Sequence, residues 1–152
     1  MDTWTGAAAA LIVGCPYSNV DAWDTAGVVR PSVRAAGPGS RRQYTFQDLI
    51  GLSVAARLLG IGVPRRVASK IVEHVVTRRG LKTVATAARS SGIWLLSDGE
   101  TAWENREGEP LGRVRTGAPA ALYAVPLRPI VETLCARIAH PRALRRPPRR
   151  RA

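Results

Sequence analysis

The chain has 152 residues, enough for one ordinary domain or for two small domains that share a core. Apolar residues make up 45% of it, which argues against a disordered chain, and its net charge of +12 favours a polyanionic partner. Cys15 and Cys135 are far apart in the sequence, which argues against a disulfide framework and against a structural zinc site.

The basic side chains are concentrated towards the two ends of the chain. Residues 1–80 contain ten Lys or Arg and five Asp or Glu, residues 81–140 contain seven and six, and residues 141–152 contain six Arg and no acid. We therefore predict a basic domain over residues 1–80, a nearly neutral module over residues 81–140 and a disordered basic tail over residues 141–152. The use of arginine to keep the chain soluble is the alternative explanation of the tail.

The first residues predict two short helices joined by a tight turn. An alanine-rich run, Ala7–Val13, has good helix propensity, with Thr5 as its cap and Gly14 as its end. A second helix follows the turn, and either Ser18 or Asn19 is predicted to cap it. Two short helices around a tight turn form a helix-turn-helix pattern, although many small helical pairs share that pattern.

The second helix is predicted to run to about Ala26 and to have two different faces. Trp23 lies three residues after Val20, so both belong to the face that packs on the core. The opposite or leading edge carries polar side chains, namely Tyr17, Ser18, Asn19 and Asp21.

A glycine- and arginine-rich segment, Ser32–Arg42, follows a turn at Arg30-Pro31 and predicts a β-hairpin tip or wing. Glycines let a backbone approach a phosphate closely, and guanidinium groups bind phosphate oxygens or enter a minor groove. A solvated surface loop is the alternative interpretation. The arginines in and beside this segment are Arg30, Arg34, Arg41 and Arg42.

Two longer helices follow and are predicted to be scaffold. Thr45 and Asp48 have the spacing of a capping box at the start of the first. The second begins near Pro64, because proline is tolerated in a first turn. Apolar side chains at helical spacing line the two core faces: Leu49, Leu52, Ala56 and Leu59 in the first helix, and Val67, Ile71 and Val75 in the second.

Residues 81–140 predict a small α/β module. Its expected elements are a helix over Lys82–Arg89, strands over Ile93–Leu96, Thr101–Glu104 and Ala120–Pro126, a short strand near Val114, and a helix from Pro129 to Ala139. A hairpin turn at Ser97–Glu100 joins the first two strands. Because such a module has a small core, we expect it to pack on the helices or on a second copy of itself.

The sequence contains no pattern that is typical of catalysis or of metal binding. His74 and His140 are far apart, and no glycine-rich phosphate loop followed by Lys-Ser/Thr is present. The apolar run Ala7–Val13 is too short to cross a membrane, and Asp2 precedes it where a signal peptide would have positive charge. We predict no enzyme activity, no cofactor, no metal and no membrane contact.

The stretch from Asp21 to Leu49, DAWDTAGVVRPSVRAAGPGSRRQYTFQDL, resembles the DNA-binding domain of MerR-like transcriptional regulators. It is most similar to an actinobacterial subgroup in which a winged helix-turn-helix precedes a small α/β domain. The resemblance covers residues 1–80 well and is looser beyond them. It rests on the residues around the second helix, on the VRPSV turn and on the residues that lead into the capping box.

The resemblance implies a homodimer in which each subunit inserts its second helix into a major groove of double-stranded DNA. Tyr17 and Asn19 match the groove-facing start of this recognition helix, and Arg42 and Tyr44 match wing residues that steady the DNA backbone. Ser18 stands where the subgroup usually has a basic residue, so the resemblance carries over no base preference at that position. The best-known members dimerise through a long coiled coil, and no long heptad run is present here, so we predict residues 81–140 as the dimer interface.

Taken together, the sequence predicts an α+β fold, a mainly helical winged helix-turn-helix domain followed by a small α/β dimerisation module. The predicted function is a sequence-specific DNA-binding transcriptional regulator, cytoplasmic and associated with the nucleoid, with an effector that the sequence does not identify. The candidate DNA-binding residues are Tyr17, Ser18, Asn19, Asp21, Arg30, Arg34, Arg41, Arg42 and Tyr44, and Trp23 is the structural core of the reading helix. Two alternatives stay open: an architectural or excision-type DNA-binding protein of a phage or mobile element, and a regulator whose C-terminal module binds a protein or ligand.

Overall fold

The computed structural model describes residues 2–34, 37, 40–77, 92–109 and 122–141. In chain order their elements are β1 Thr3–Thr5, α1 Gly6–Val13, α2 Tyr17–Thr25, β2 Gln43–Thr45, α3 Phe46–Gly60, α4 Arg65–Thr77, β3 Ile93–Ser97, β4 Ala102–Arg106, β5 Tyr123–Pro126 and α5 Leu127–Ala139. A mainly helical N-terminal region thus precedes a sheet and a final helix, and the predicted α+β fold class is confirmed.

The helix-turn-helix forms where the sequence predicted it. The Thr5 hydroxyl accepts a hydrogen bond from the Ala8 amide at 3.3 Å, so it caps α1 as expected. Gly14 ends α1 with φ of 84°, in the left-handed region that glycine enters without strain. The predicted cap of α2 was wrong, because the helix already begins at Tyr17, and Ser18 and Asn19 lie inside it.

A small sheet that the sequence did not indicate ties the start of the chain to the end of the arginine-rich segment. Strands β1 and β2 pair in antiparallel register, with Trp4 opposite Tyr44. The Thr3 hydroxyl also donates a hydrogen bond to the Gln43 side-chain carbonyl. Three-residue strands show too little alternation to be recognised from sequence, and only their pairing holds them.

The capping box at the start of α3 is confirmed, and it does more than cap the helix. The Asp48 carboxylate, which is fully buried, accepts a hydrogen bond from the Thr45 amide at 2.8 Å. It also accepts hydrogen bonds from the amide and the hydroxyl of Ser32, at 2.9 and 2.7 Å. One buried carboxylate therefore anchors the chain where it leaves α2 and where it enters α3.

Helices α3 and α4 pack closely against each other, as the apolar spacing predicted. They approach at Gly51, where an added Cβ would lie 2.9 Å from the Val76 Cγ2 atom. Leu49, Leu52, Ile71 and Val75 are buried in the core between these and the neighbouring elements. The described residues contain no helix that is both long enough and apolar enough to span a bilayer.

The C-terminal module contains an antiparallel sheet with strand order β4-β3-β5, followed by α5. The predicted hairpin is present, and the Asp98 carboxylate accepts hydrogen bonds from the Glu100 and Thr101 amides in its turn. Helix α5 begins at Leu127 rather than at the predicted Pro129, because proline is accommodated in a first turn. The expected helix over Lys82–Arg89, the strand near Val114 and the tail beyond Pro141 lie outside the described residues.

The module packs on the N-terminal helices, one of the two arrangements expected for it. Leu95, Val125, Leu127 and Leu134 belong to the same buried cluster as the residues of α3 and α4. Salt bridges also join the hairpin turn to α4, because the Glu100 carboxylate lies 3.1 Å from the Arg66 guanidinium and 3.0 Å from the Lys70 amine. A division at residue 80 into two domains stays a prediction, since the two parts share one core.

Candidate nucleic-acid interface

Helix α2 presents its polar edge to solvent and packs its apolar edge on the core. Val20 and Trp23 are 1% and 8% exposed, so they hold the helix in place. Tyr17, Ser18 and Asn19 at its first turn are exposed. The helix is therefore fixed from behind while the residues predicted to read DNA remain accessible.

The ring of Tyr17 rests on the start of α1. A Cβ added at Gly6 would lie 2.9 Å from the Tyr17 Cε2 atom and 3.6 Å from the Tyr44 Cε2 atom. Glycine at this position therefore leaves room for the tyrosine ring, whose side chain stays 52% exposed. The close contact restrains the direction in which the Tyr17 side chain leaves α2.

The arginine-rich segment returns to the sheet through a short bridge. The Val33 and Gln43 backbones exchange hydrogen bonds of 3.2 and 2.9 Å, which closes the base of the loop. This bridge is consistent with the predicted wing, whose tip includes residues outside the described part. Arg34 and Arg41 on its two sides are exposed, and neither forms an ion pair with a residue that the structure describes.

Arg30 is exposed at the end of α2. A Cβ added at Gly27, whose φ is 70°, would lie 3.1 Å from the Arg30 Nη2 atom. The guanidinium therefore lies close to Gly27, two residues after the end of α2. Within the described ranges it has no carboxylate partner, so its charge is available to an external anion.

Arg42 differs from the other three arginines because it binds α2 directly. Its Nη2 atom lies 2.6 Å from the Asp21 Oδ1 atom, and its Nη1 atom donates to the Asp24 Oδ2 atom. The hydrogen bonds to Asp21 and Asp24 raise the pKa of Arg42 above its ordinary value. We predicted a contact of Arg42 with the DNA backbone; in this structure its guanidinium is bound by two carboxylates.

Tyr44 lies in the interior rather than on the surface. Its side chain is 1% exposed, and burial raises its pKa to about 12. Because Tyr44 sits on β2 opposite Trp4, its ring contributes to the core that supports the wing. The predicted contact between Tyr44 and DNA does not fit this burial.

Two contacts were not predicted from the sequence, namely that of Asp24 with Arg42 and that of Asp48 with Ser32. Asp24 follows Asp21 by three residues, a spacing that places two side chains on one helix face, so it could have been recognised as a paired acid. The contacts of Asp48 with Ser32 span sixteen residues and depend on the tertiary fold. No local pattern shows such a contact.

The described residues contain no group of three or more His, Cys, Asp or Glu side chains placed to hold a metal ion. Cys15, beside the turn of the helix-turn-helix, is half-buried, and burial raises its pKa. The chemistry of this surface is therefore that of exposed amide, hydroxyl and guanidinium groups on α2 and the arginine-rich segment.

Residues 5–75 match the family model described as MerR HTH family regulatory protein. The chain carries a MerR-family helix-turn-helix domain. The resemblance seen between Asp21 and Leu49 is thereby confirmed. The matched residues run from the end of β1 through α1, α2, the arginine-rich segment, β2, α3 and most of α4.

The chain is also similar to three mycobacterial proteins. It is 36% identical over 107 residues to an uncharacterized HTH-type transcriptional regulator of Mycobacterium bovis and to proteins of the same description from two strains of Mycobacterium tuberculosis. The alignment covers 70% of this chain and 44% of each relative. The chain therefore spans less than half of the length of these relatives.

Proposed function

We propose that this protein is a transcriptional regulator that binds double-stranded DNA through its MerR domain and reads sequence with α2. The observation that carries the proposal is the combination of an exposed polar first turn on α2 with three exposed arginines that have no ion-pair partner among the described residues. The relatives described as HTH-type transcriptional regulators support the same function.

The first turn of α2 has the chemistry needed to read base edges. In helix-turn-helix proteins the first residues of the second helix contact bases in the major groove. The Asn19 amide can bind adenine bidentately, while hydroxyl groups at Tyr17 and Ser18 can bind either donors or acceptors. We assign base reading to these three residues.

The exposed arginines suit the sugar–phosphate backbone. Arg30 follows α2 and its guanidinium lies near Gly27, while Arg34 and Arg41 flank the arginine-rich loop, and each guanidinium can bind a phosphate. Contacts of this kind orient a protein on DNA without conveying sequence. We assign positioning on the duplex to these three residues, with the wing on the backbone or in the minor groove.

A homodimer completes the proposal, because two reading helices bind two half-sites of a palindrome. The sheet face that points away from the core is the surface we propose for dimerisation. Trp94 and Leu122 on it are 37% and 40% exposed, and they line a cleft of about 310 Å³. Contacts between apolar residues of two copies would remove this surface from water.

Selection from a random double-stranded DNA library tests the proposed function. We expect an enriched palindrome whose half-sites are separated by about one or two helical turns, as a symmetric dimer requires. Uniform recovery of all sequences, together with bending of any bound duplex, would instead support an architectural DNA-binding protein. We place the regulator in the cytoplasm, at the nucleoid, where its DNA is found.

A further inference from the structure

The recognition helix has a charge that opposes its proposed partner. Between Tyr17 and Thr25 its only charged side chains are Asp21 and Asp24, and it contains no basic residue. Two uncompensated carboxylates close to a DNA groove would be repelled by the phosphates on either side. DNA binding by α2 therefore requires something that compensates these charges.

Arg42 is placed to supply this compensation. It binds Asp21 and Asp24 at the same time, and its side chain and those of the two acids are 37%, 49% and 16% exposed. Its neighbour Arg41 is exposed and has no ion-pair partner within the described residues. Arg42 thus binds two carboxylates, whereas its neighbour Arg41 binds none among the described residues.

We propose that Arg42 promotes DNA binding by neutralising Asp21 and Asp24 rather than by contacting a phosphate. The inference rests on the DNA-binding function proposed above, and it assigns to Arg42 a role that acts through the two acids. Arg41 is the residue of this pair that contacts the backbone.

A set of four proteins separates charge compensation from the alternatives. They are the wild type, Arg42→Gln, the double variant Asp21→Asn/Asp24→Asn, and the triple variant that combines all three changes. Affinity for the duplex selected above is measured at one fixed salt concentration. Asparagine keeps the size of each aspartate, and glutamine keeps part of the arginine stem, so packing changes little.

We expect Arg42→Gln to weaken binding by about tenfold or more, since it leaves two carboxylates facing phosphates. The double variant should bind within about threefold of the wild type or more tightly, because the charge to be compensated is gone. The triple variant should recover the affinity lost in Arg42→Gln to within the same threefold. Recovery after removal of the acids is the result that identifies charge compensation.

Arg41→Gln is the matched control. We expect it to weaken binding whether or not Asp21 and Asp24 are replaced, because a phosphate contact is lost in both cases. It should also reduce the slope of affinity against salt concentration by about one.

Three results would overturn the inference. If Arg42→Gln costs the same affinity with and without the acids, Arg42 contacts DNA directly. If the double variant binds as poorly as Arg42→Gln, the ion pairs matter for geometry and not for charge. If the wild type binds no DNA, the proposed function fails as well. Circular dichroism of each variant tests whether unfolding is the cause of any loss of affinity.

Discussion

At the scale of single residues, neighbouring side chains of the same type have different environments. Arg41 is exposed, whereas Arg42 is held by two carboxylates of α2. Tyr17 is 52% exposed on α2, whereas Tyr44 is 1% exposed on β2. The sequence indicated that all four face DNA, and the structure separates surface groups from supporting groups.

Buried polar atoms hold the base of the arginine-rich segment. The Asp48 carboxylate accepts hydrogen bonds from the Ser32 amide, the Ser32 hydroxyl and the Thr45 amide. Removing this carboxylate would leave the buried Thr45 amide without this partner, which costs about 1–3 kcal/mol, and would release the exposed Ser32. The path of the chain between α2 and α3 is therefore determined at one residue.

Burial of Tyr44 predicts how stability changes in alkaline solution. Tyrosine in an unfolded chain has its pKa at 10, whereas burial raises the pKa of Tyr44 to about 12. Above pH 10 the unfolded state loses a proton that the folded state keeps, so stability is intact below pH 10 and falls as the pH rises towards 12. The contribution of this side chain is at most about 2–3 kcal/mol.

Tyr44→Phe removes the ionisable group while it keeps the ring. Between about pH 9 and pH 12, a range that includes the two pKa values, the free energy of unfolding of the wild type should fall. We expect it to fall less for this variant. Urea titrations at a series of pH values measure the difference. Parallel curves for the two proteins would show that the ionisation of Tyr44 is not linked to folding.

At the scale of elements, α3 and α4 are close because a glycine lies where they cross. A Cβ at Gly51 would be 2.9 Å from the Val76 Cγ2 atom, whereas a Cβ at Gly60, the last residue of the same helix, would meet no heavy atom within 4 Å. Alanine substitutions at Gly51 and Gly60 therefore compare a closely packed position with an open position in the same helix.

We expect Gly51→Ala to lower the free energy of unfolding by about 1–2 kcal/mol, because overpacking outweighs the gain in helix propensity. Gly60→Ala should leave the free energy of unfolding unchanged or raise it by up to about 1 kcal/mol, because no neighbour is displaced. Chemical denaturation of both variants is the measurement. Equal effects at the two positions would contradict the close packing of α3 and α4.

Elements with strong local signals were predictable from sequence, and elements that depend on distant partners were not. The cap of Thr5 on α1 and the capping box of α3 follow from residues within four positions of each other. Strand β1 exists only through its pairing with β2, about forty residues away. The exposure of the first turn of α2 follows from local helical spacing, whereas the ion pairs of Arg42 join residues about twenty positions apart. Base reading by this turn stays a prediction.

At the scale of the whole molecule, helix α5 of the C-terminal module contacts the end of α1 in the helix-turn-helix. The Arg137 Nη1 atom on α5 donates a hydrogen bond of 2.9 Å to the Ile12 carbonyl in the last turn of α1. Its guanidinium also lies over Gly14, in the turn that leads to α2. A cation at this end of a helix interacts favourably with the helix dipole, so α5 stabilises the turn between α1 and α2.

The surface proposed for dimerisation is the face of the module's sheet that points away from the core and carries Trp94. We expect Trp94→Lys to convert the proposed homodimer into a monomer, because a charge would be buried between two copies. Sedimentation equilibrium at a series of concentrations measures the change. Ile61→Lys is the control, since Ile61 is 79% exposed between α3 and α4 and should leave the dimer intact. A Trp94→Lys protein that remains dimeric would place the interface elsewhere.

Base reading by α2 is tested most directly with Asn19→Ala. Affinity is measured for the selected duplex and for a scrambled duplex of the same length, at the same salt concentration. We expect a loss of about tenfold or more on the selected duplex, because a base contact of 1–3 kcal/mol disappears, and a change of less than about twofold on the scrambled one. Equal losses on both duplexes, or none on either, would contradict base reading by α2.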